Sequence, residues 1–158
     1  MTWLRQFSLN KENYIYEGTV KTGRGGAVKE MSKPDFLESL RDLVGLDVIP
    51  GTLNLRLTEP IELPLFRYVK FKDVGWDFNP KTQGIDFHGE IGMYYRRVTV
   101  AKKYKACAVV FTWAQDIHYD VELISRYHLR TVLNLKDGDK VSFTLDNESS
   151  EKRWLNRS

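Results

Sequence analysis

The stretch Pro50-Gly51-Thr52-Leu53-Asn54-Leu55 carries the clearest structural signal in this chain. Leucine recurs at every second position, which is the period of a β-strand with one buried face. The alternating leucines are Leu53, Leu55 and Leu57. A tight turn is predicted at Pro50-Gly51, because proline and glycine both favour turns. The stretch therefore predicts a short strand that the chain enters through a turn.

Thr52 and Asn54 share the opposite face of this strand, where a hydroxyl and a side-chain carbonyl oxygen lie side by side. Neutral oxygen ligands suit a magnesium ion that keeps most of its water and phosphate ligands. Threonine and asparagine are also common on exposed strands. Taken alone, the pair fits an ordinary surface strand at least as well as a metal site.

Short strand patterns separated by turn residues recur along most of the chain. The segments concerned are 14–20, 51–57, 66–72, 85–95, 97–100, 106–112 and 140–145. Many short strands with few helices indicate a mainly β protein. We therefore predict a small closed β-barrel with one inserted α-helix.

The inserted helix has clear start and stop signals. Ser32 is the predicted N-cap, Pro34 lies in the first turn, and Gly45 ends the helix as its C′ residue. The apolar stripe between them has helical spacing and consists of Phe36, Leu37, Leu40, Leu43 and Val44. Residues 122–133 are predicted as a second short helix or a turn.

The length suits one domain, predicted over residues 14–145, with an N-terminal arm over 1–13 and a charged tail over 146–158. The net charge of +3 is too small for a dedicated nucleic-acid-binding protein. The single cysteine, Cys107, has no histidine at metal-ligand spacing. No apolar stretch is long enough to span a membrane and no signal peptide is recognisable, so a cytoplasmic setting is expected.

Several motifs in sequence order give the chain a resemblance to the CTP-dependent riboflavin kinases of archaea. These motifs are GTVKTGRGG at 18–26, LVGL at 43–46, PGTLNL at 50–55, VV at 109–110, HLR at 128–130 and NLKDGD at 134–139. Each motif is weak alone, but their order and spacing are specific, and the resemblance extends roughly over 17–145. It implies a RIFT-type (cradle-loop) β-barrel that transfers the γ-phosphoryl group of CTP to the 5′-hydroxyl of riboflavin, giving FMN.

The resemblance also implies roles for individual residues. Thr52 and Asn54 match the magnesium ligands of the family, and Glu122 matches a glutamate that contacts the flavin. Glu122 would accept the proton of the attacking hydroxyl or orient the ribityl chain. The nucleotide contacts implied are Gly23, Arg24, Gly25, Gly26, Ala27 and Val28, and then Tyr127, His128, Leu129 and Arg130.

The chain departs from the family pattern at the glycine turn and beside the flavin. Gly26 replaces an acidic residue, Ala27 replaces a glycine, and Val28 stands where a basic or polar residue is expected. Ala114 replaces a hydroxyl residue, for which Thr112 is near enough to substitute as a flavin contact. Trp113 could pack beside the flavin ring, but a tryptophan is more often a core residue.

Three hypotheses follow. The first is a magnesium-dependent riboflavin kinase with CTP and riboflavin as substrates, expected to be monomeric and without a membrane or nucleic-acid partner. The second is a barrel that binds a nucleotide or a flavin without turnover. The third is a nucleic-acid-associated barrel that uses Lys102, Lys103 and Lys105. The sequence favours them in that order and leaves CTP and ATP open as donors.

Overall fold

The computed structural model describes residues 14–23 and 25–147, whose strands form one antiparallel sheet that closes on itself. The strands are β1 Ile15–Lys21, β2 Leu53–Leu57, β3 Arg67–Lys70, β4 Gly92–Val100, β5 Tyr104–Phe111, β6 Asp120–Ser125 and β7 Lys140–Leu145. Their order is β3-β4-β5-β6-β2-β1-β7, and β4 also pairs with β7. Six strands therefore close a barrel to which β3 is added, which confirms the predicted fold class.

Three helices accompany the barrel: α1 Ala27–Met31, α2 Pro34–Val44 and α3 Leu129–Val132. The predicted inserted helix is α2, and Gly45 ends it with a left-handed φ of 69°. Its N-cap is Lys33 and not Ser32. The Ser32 hydroxyl instead donates to the Val28 carbonyl oxygen at 2.6 Å. The predicted cap is wrong because α1, which we did not predict, occupies the preceding residues.

Two other boundaries differ from the prediction. The predicted strands at 85–95 and 97–100 form one strand, β4, which begins only at Gly92. The segment 122–133 is not mainly helical, because its first part belongs to β6 and only Leu129–Val132 is α3. Within β6, Val121 and Leu123 alternate toward the barrel interior, so period 2 applies there.

Alternation of the strand residues creates two cores. The inner core fills the barrel with residues from all six of its strands, including Val20, Leu55 and Phe143. The outer core lies on the other face of β4, β5 and β6, where α2 and the segment around Phe71 cover it. The outer faces of β1 and β2 contribute no residue to that outer core, so polar side chains are accommodated there.

The predicted arm, 1–13, and residues 148–158 of the predicted tail lie outside the described residues. The tail was predicted to begin at Asp146, which is buried and accepts a hydrogen bond from the Thr99 hydroxyl at 2.8 Å. Within the described ranges, no helix has both the length and the apolar character needed to cross a membrane.

Candidate active site

A large cleft of about 1580 Å³ opens beside the outer face of the barrel. The glycine turn after β1, the start of β2, the outer face of β6 and the start of α3 line one part of it. The segment around Trp76 and the end of β5 line another part. The volume exceeds the roughly 300–1,000 Å³ of a pocket for one small ligand, so the cleft has room for two substrates.

Strand register aligns the central residues of the cleft. Lys21 on β1 is paired with Asn54 on β2, and Asn54 is paired with Glu122 on β6. Glu122 is paired in turn with Val109 on β5, which belongs to the outer core. Directly paired residues of antiparallel strands project to the same side. This row of paired residues therefore has polar side chains in the cleft, on β1, β2 and β6, and an apolar side chain beneath α2, on β5.

The predicted metal pair and the predicted catalytic carboxylate meet in this row. Asn54 Nδ2 donates to Thr52 Oγ1 at 3.3 Å, and the Thr52 hydroxyl also hydrogen-bonds the Glu122 carboxylate. Burial raises the pKa of the Glu122 carboxyl above its ordinary value, and the Thr52 bond and the charge of Lys21 oppose that shift. A carboxylate, an amide and a hydroxyl therefore lie together, with the amide nitrogen of Asn54 directed at the Thr52 oxygen.

Gly23 lies against this cluster. A Cβ atom built on Gly23 would approach Asn54 Cγ to 2.8 Å, closer than real Cβ atoms come to their neighbours. Only glycine therefore leaves the Asn54 carboxamide in place beneath the turn. Gly25 differs, because it has a left-handed φ of 86° and a Cβ atom built on it would have open space around it.

The rest of the predicted glycine turn leads directly into α1. Gly26 precedes the helix, and Ala27 and Val28 form its first turn, with all three lining the cleft. The Val28 side chain is 61% exposed. Arg24, the other predicted contact in this turn, lies outside the described residues.

The second predicted nucleotide segment, Tyr127 to Arg130, lines the cleft on the side of α3. Arg130 Nη2 donates to Asp137 Oδ1 at 2.7 Å, and the Thr22 hydroxyl donates to the other oxygen of the same carboxylate. These two hydrogen bonds hold the pKa of Asp137 below its ordinary value, and the bond from Thr22 has the larger effect. His128, the N-cap residue of α3, has its Nδ1 2.7 Å from the Thr131 hydroxyl. Asp137 therefore ties α3 to the glycine turn.

Half-buried aromatic side chains line the other part of the cleft. The Phe111 and Trp113 rings are stacked with centroids 4.7 Å apart, and the Phe78 ring lies 4.9 Å from Trp113. Trp76 is buried, and its indole N–H donates to Ser39 Oγ at 2.9 Å. Phe78 and Phe111 were not singled out from the sequence. The alternation of Phe111 and Trp113 at the end of β5 was the available signal.

Thr112 is the one predicted site residue in the described ranges that does not line the cleft. Its hydroxyl donates to the Glu90 carbonyl oxygen at 2.7 Å and accepts from the Gly92 N–H at 3.1 Å. Alternation turns it away from the face that Phe111 and Trp113 occupy. Its role as a flavin contact stays a prediction, and Ala114 is nearer the cleft.

Sequence reasoning also missed an ion pair in the cleft. Lys21 Nζ lies 2.8 Å from Asp120 Oδ1, and both residues line the cleft. Lys21 directly precedes the glycine turn, but its partner is specified only by the register of three strands. The signal was a lysine at the end of a strand that leads into a candidate phosphate loop.

The donor set fits magnesium better than zinc. The described part of the chain holds no group of three or more His, Cys, Asp or Glu side chains that could bind a metal ion. Thr52 and Asn54 offer neutral oxygens, and Glu122 offers a carboxylate beside them. Oxygen ligands and few protein contacts are typical of magnesium in nucleotide sites.

Comparison with known proteins shows the family to which the chain is similar. The family model for CTP-dependent riboflavin kinases, described as "Domain of unknown function DUF120", matches residues 20–145. A protein of Thermofilum pendens named Riboflavin kinase is 34% identical over 139 residues, covering 81% of this chain and 57% of that protein. A Riboflavin kinase of Methanospirillum hungatei is 26% identical, with 89% of this chain and 61% of the relative covered.

The chain spans about three fifths of the length of those two relatives. A third relative is of similar size to the matched region. It is a Riboflavin kinase of Methanosphaera stadtmanae, 29% identical over 137 residues, which cover 83% of this chain and 97% of the relative.

Proposed function

The chain belongs to the CTP-dependent riboflavin kinase family, and on that premise we propose that it transfers the γ-phosphoryl group of CTP to the 5′-hydroxyl of riboflavin. The products would be FMN and CDP. The relative from Methanosphaera stadtmanae supports the activity for a domain of this extent, because nearly all of that protein is matched.

One observation carries the proposal: Thr52, Asn54 and Glu122 meet beneath Gly23 in a cleft large enough for two substrates. Phosphoryl transfer needs the two reactants in line and the charge of the phosphates neutralised, and needs little covalent help from the protein. A cluster of oxygen ligands beside a glycine turn meets both needs.

The nucleotide would lie along the glycine turn and the start of α3. Backbone N–H groups near Gly25 can approach phosphate oxygens because no side chain intervenes. Arg130 offers a guanidinium group on the same side of the cleft. Thr52 and Asn54 would hold magnesium, which when bound supplies positive charge to the phosphate oxygens.

Riboflavin would occupy the aromatic part of the cleft. Phe78, Phe111 and Trp113 offer ring faces of the kind on which a flat heterocycle stacks. Glu122 lies between this part and the glycine turn, so its carboxylate would meet the 5′-hydroxyl. It would then accept the hydroxyl proton or orient the hydroxyl for attack.

Binding without turnover is the second candidate, and the glycine turn supports it. Gly25, Gly26, Ala27 and Val28 carry no charged side chain, and Val28 exposes an apolar one. Arg130 is engaged by Asp137. A barrel of this kind would retain nucleotide or flavin affinity and give no product.

Incubation with riboflavin, magnesium and one nucleotide at a time separates these candidates. CTP, UTP, GTP and ATP are supplied in separate reactions, and FMN is measured by chromatography, with a chelator as the control. We expect FMN with CTP and none after chelation. Folded protein that binds riboflavin or CTP and forms no FMN with any donor would support binding without turnover.

Glu122→Gln tests the role of the carboxylate within the same assay. The amide keeps an oxygen for the Thr52 hydroxyl but cannot accept a proton. We expect kcat to fall by about 100-fold or more if Glu122 is a general base, and by less if it only orients the hydroxyl. Unchanged turnover in Glu122→Gln would remove this residue from the mechanism.

A further inference from the structure

We propose that Lys21 contacts the phosphates of the donor nucleotide and neutralises charge on the phosphoryl group in transfer. This inference rests on the proposed function and adds a residue to its site. Lys21 was not among the residues assigned a role from the sequence.

The position of Lys21 carries the inference. It is the last residue of β1 and is paired with Asn54, whose other register partner is Glu122. Its Nζ reaches Asp120 Oδ1 on β6 at 2.8 Å. Since β2 lies between β1 and β6, the lysine side chain crosses β2. Asp120 is the register partner of Arg56, so the lysine side chain runs diagonally across β2, from the position of Asn54 toward Arg56.

The ion pair leaves the lysine available to a ligand. Its side chain is 41% exposed, against 16% for that of Asp120. Asp120 keeps two other partners, since Oδ1 lies 3.6 Å from an Arg56 nitrogen and Oδ2 accepts the Asp116 N–H at 3.0 Å. Phosphate can therefore displace or share the ammonium group without leaving the aspartate unpaired.

The other cations in the described lining of the cleft are placed less well for this role. Arg130 is bound by Asp137 on the α3 side of the glycine turn. Lys33 pairs with Glu30 at the rim, between α1 and α2. Lys29 is exposed on α1. Only Lys21 is in register with Asn54 and Glu122.

A lysine at this position suits phosphoryl transfer chemically. The ammonium group is a compact charge with three donors on a flexible chain, so it can follow phosphate oxygens as charge redistributes among them. Neutralisation of that charge is the main demand of the reaction. A partly exposed ion pair adds little to stability, so fold maintenance alone gives weak reason for the arrangement.

Arg56 provides a matched control. It also pairs with Asp120 and projects from the same face of the sheet, but it does not line the cleft. If Lys21 matters only as a partner of Asp120, Lys21→Met and Arg56→Met should behave alike. If Lys21 contacts phosphate, only Lys21→Met should affect the reaction, and Lys21→Arg should restore part of it.

Two measurements complete the test. The first is kcat and KM for CTP, where we expect Lys21→Met to lower kcat/KM by about 100-fold and Arg56→Met to change it by less than about threefold. The second is calorimetric affinity for CTP and CMP without riboflavin. Lys21→Met should lower the affinity for CTP and leave the affinity for CMP unchanged, because CMP lacks the outer phosphates.

The inference would be overturned if Lys21→Met and Arg56→Met lost equal amounts of kcat/KM. It would also be overturned if Lys21→Met kept the wild-type rate and the wild-type affinity for CTP. The binding measurement separates this failure from failure of the proposed function. Should the wild-type protein form no FMN, the ratio of CTP to CMP affinity still reports whether Lys21 meets the outer phosphates.

Discussion

At the scale of single residues, Gly23 lies so close to Asn54 that a side chain at position 23 would collide with the Asn54 carboxamide. Asn54 in turn contacts Thr52 and is paired with Glu122. Displacement of this one amide would therefore disturb the whole oxygen cluster.

Gly23→Ala tests that dependence, with Gly25→Ala as its matched control. The new methyl group at 23 should push Asn54 aside and lower FMN formation by about tenfold or more, since small misplacements are costly in catalysis. At 25 the added methyl has open space, and its left-handed φ of 86° should cost about 1 kcal/mol of stability. Turnover and thermal unfolding are measured for both variants.

Equal turnover in the two glycine variants would contradict this reading of Gly23. A larger loss of activity in Gly25→Ala would contradict it as well.

Asp137 shows at the scale of elements how α3 and the glycine turn are held together. Its carboxylate accepts hydrogen bonds from Thr22 on one element and Arg130 on the other. The lowered pKa means that ionised Asp137 is stabilised in the folded state. This contribution is present above the unfolded pKa of about 3.9 and is lost as pH falls through the lower folded value.

Asp137→Asn should therefore remove part of the acid sensitivity of the fold. We expect its unfolding midpoint in denaturant to lie below that of the wild type at pH 6 and to approach it near pH 3. Asp86→Asn is a suitable control, because Asp86 is exposed and does not line the cleft. A constant difference between Asp137→Asn and wild type across this range would count against the linkage.

The elements also show what the sequence could predict. Strand β7 and helix α2 have the predicted boundaries to within a residue, because alternation, Pro34 and Gly45 are local signals. Strand β6 was missed because Glu122 and Ser125 interrupt its apolar residues. The same sequence pattern is also compatible with a short helix. The ion pair between Lys21 and Asp120 could not be predicted from the sequence, because it depends on the register of β1, β2 and β6.

At the scale of the whole molecule, the inner and outer faces of the barrel differ in what they contact. The inner core draws on all six barrel strands, whereas the outer face is apolar under α2 and polar in the cleft. The closed barrel thus supplies a rigid row of side chains, on which positioning of a phosphoryl group would depend. The resemblance predicted this architecture and implied roles for Thr52, Asn54 and Glu122, but it did not predict that the three side chains lie together.

Leu55→Ala tests the inner core as the source of that rigidity. Leu55 is fully buried at the middle of β2, so we expect a loss of about 2–5 kcal/mol in the free energy of unfolding. Val132→Ala is the control, because Val132 is 41% exposed and should change stability by less than about 1 kcal/mol. Similar unfolding free energies for the two variants would contradict the assignment of Leu55 to the core.

In the proposed function, Thr52, Asn54 and Glu122 would support magnesium-dependent phosphorylation of riboflavin. The most direct test measures FMN formation from riboflavin and CTP across a range of magnesium concentrations, for wild type, Asn54→Ala and the control Thr144→Ala, a half-buried threonine on β7 that does not line the cleft. We predict that wild type and Thr144→Ala form FMN with the same magnesium dependence, and that Asn54→Ala remains folded and loses activity by about 100-fold. Wild-type activity and magnesium dependence in Asn54→Ala would contradict the account.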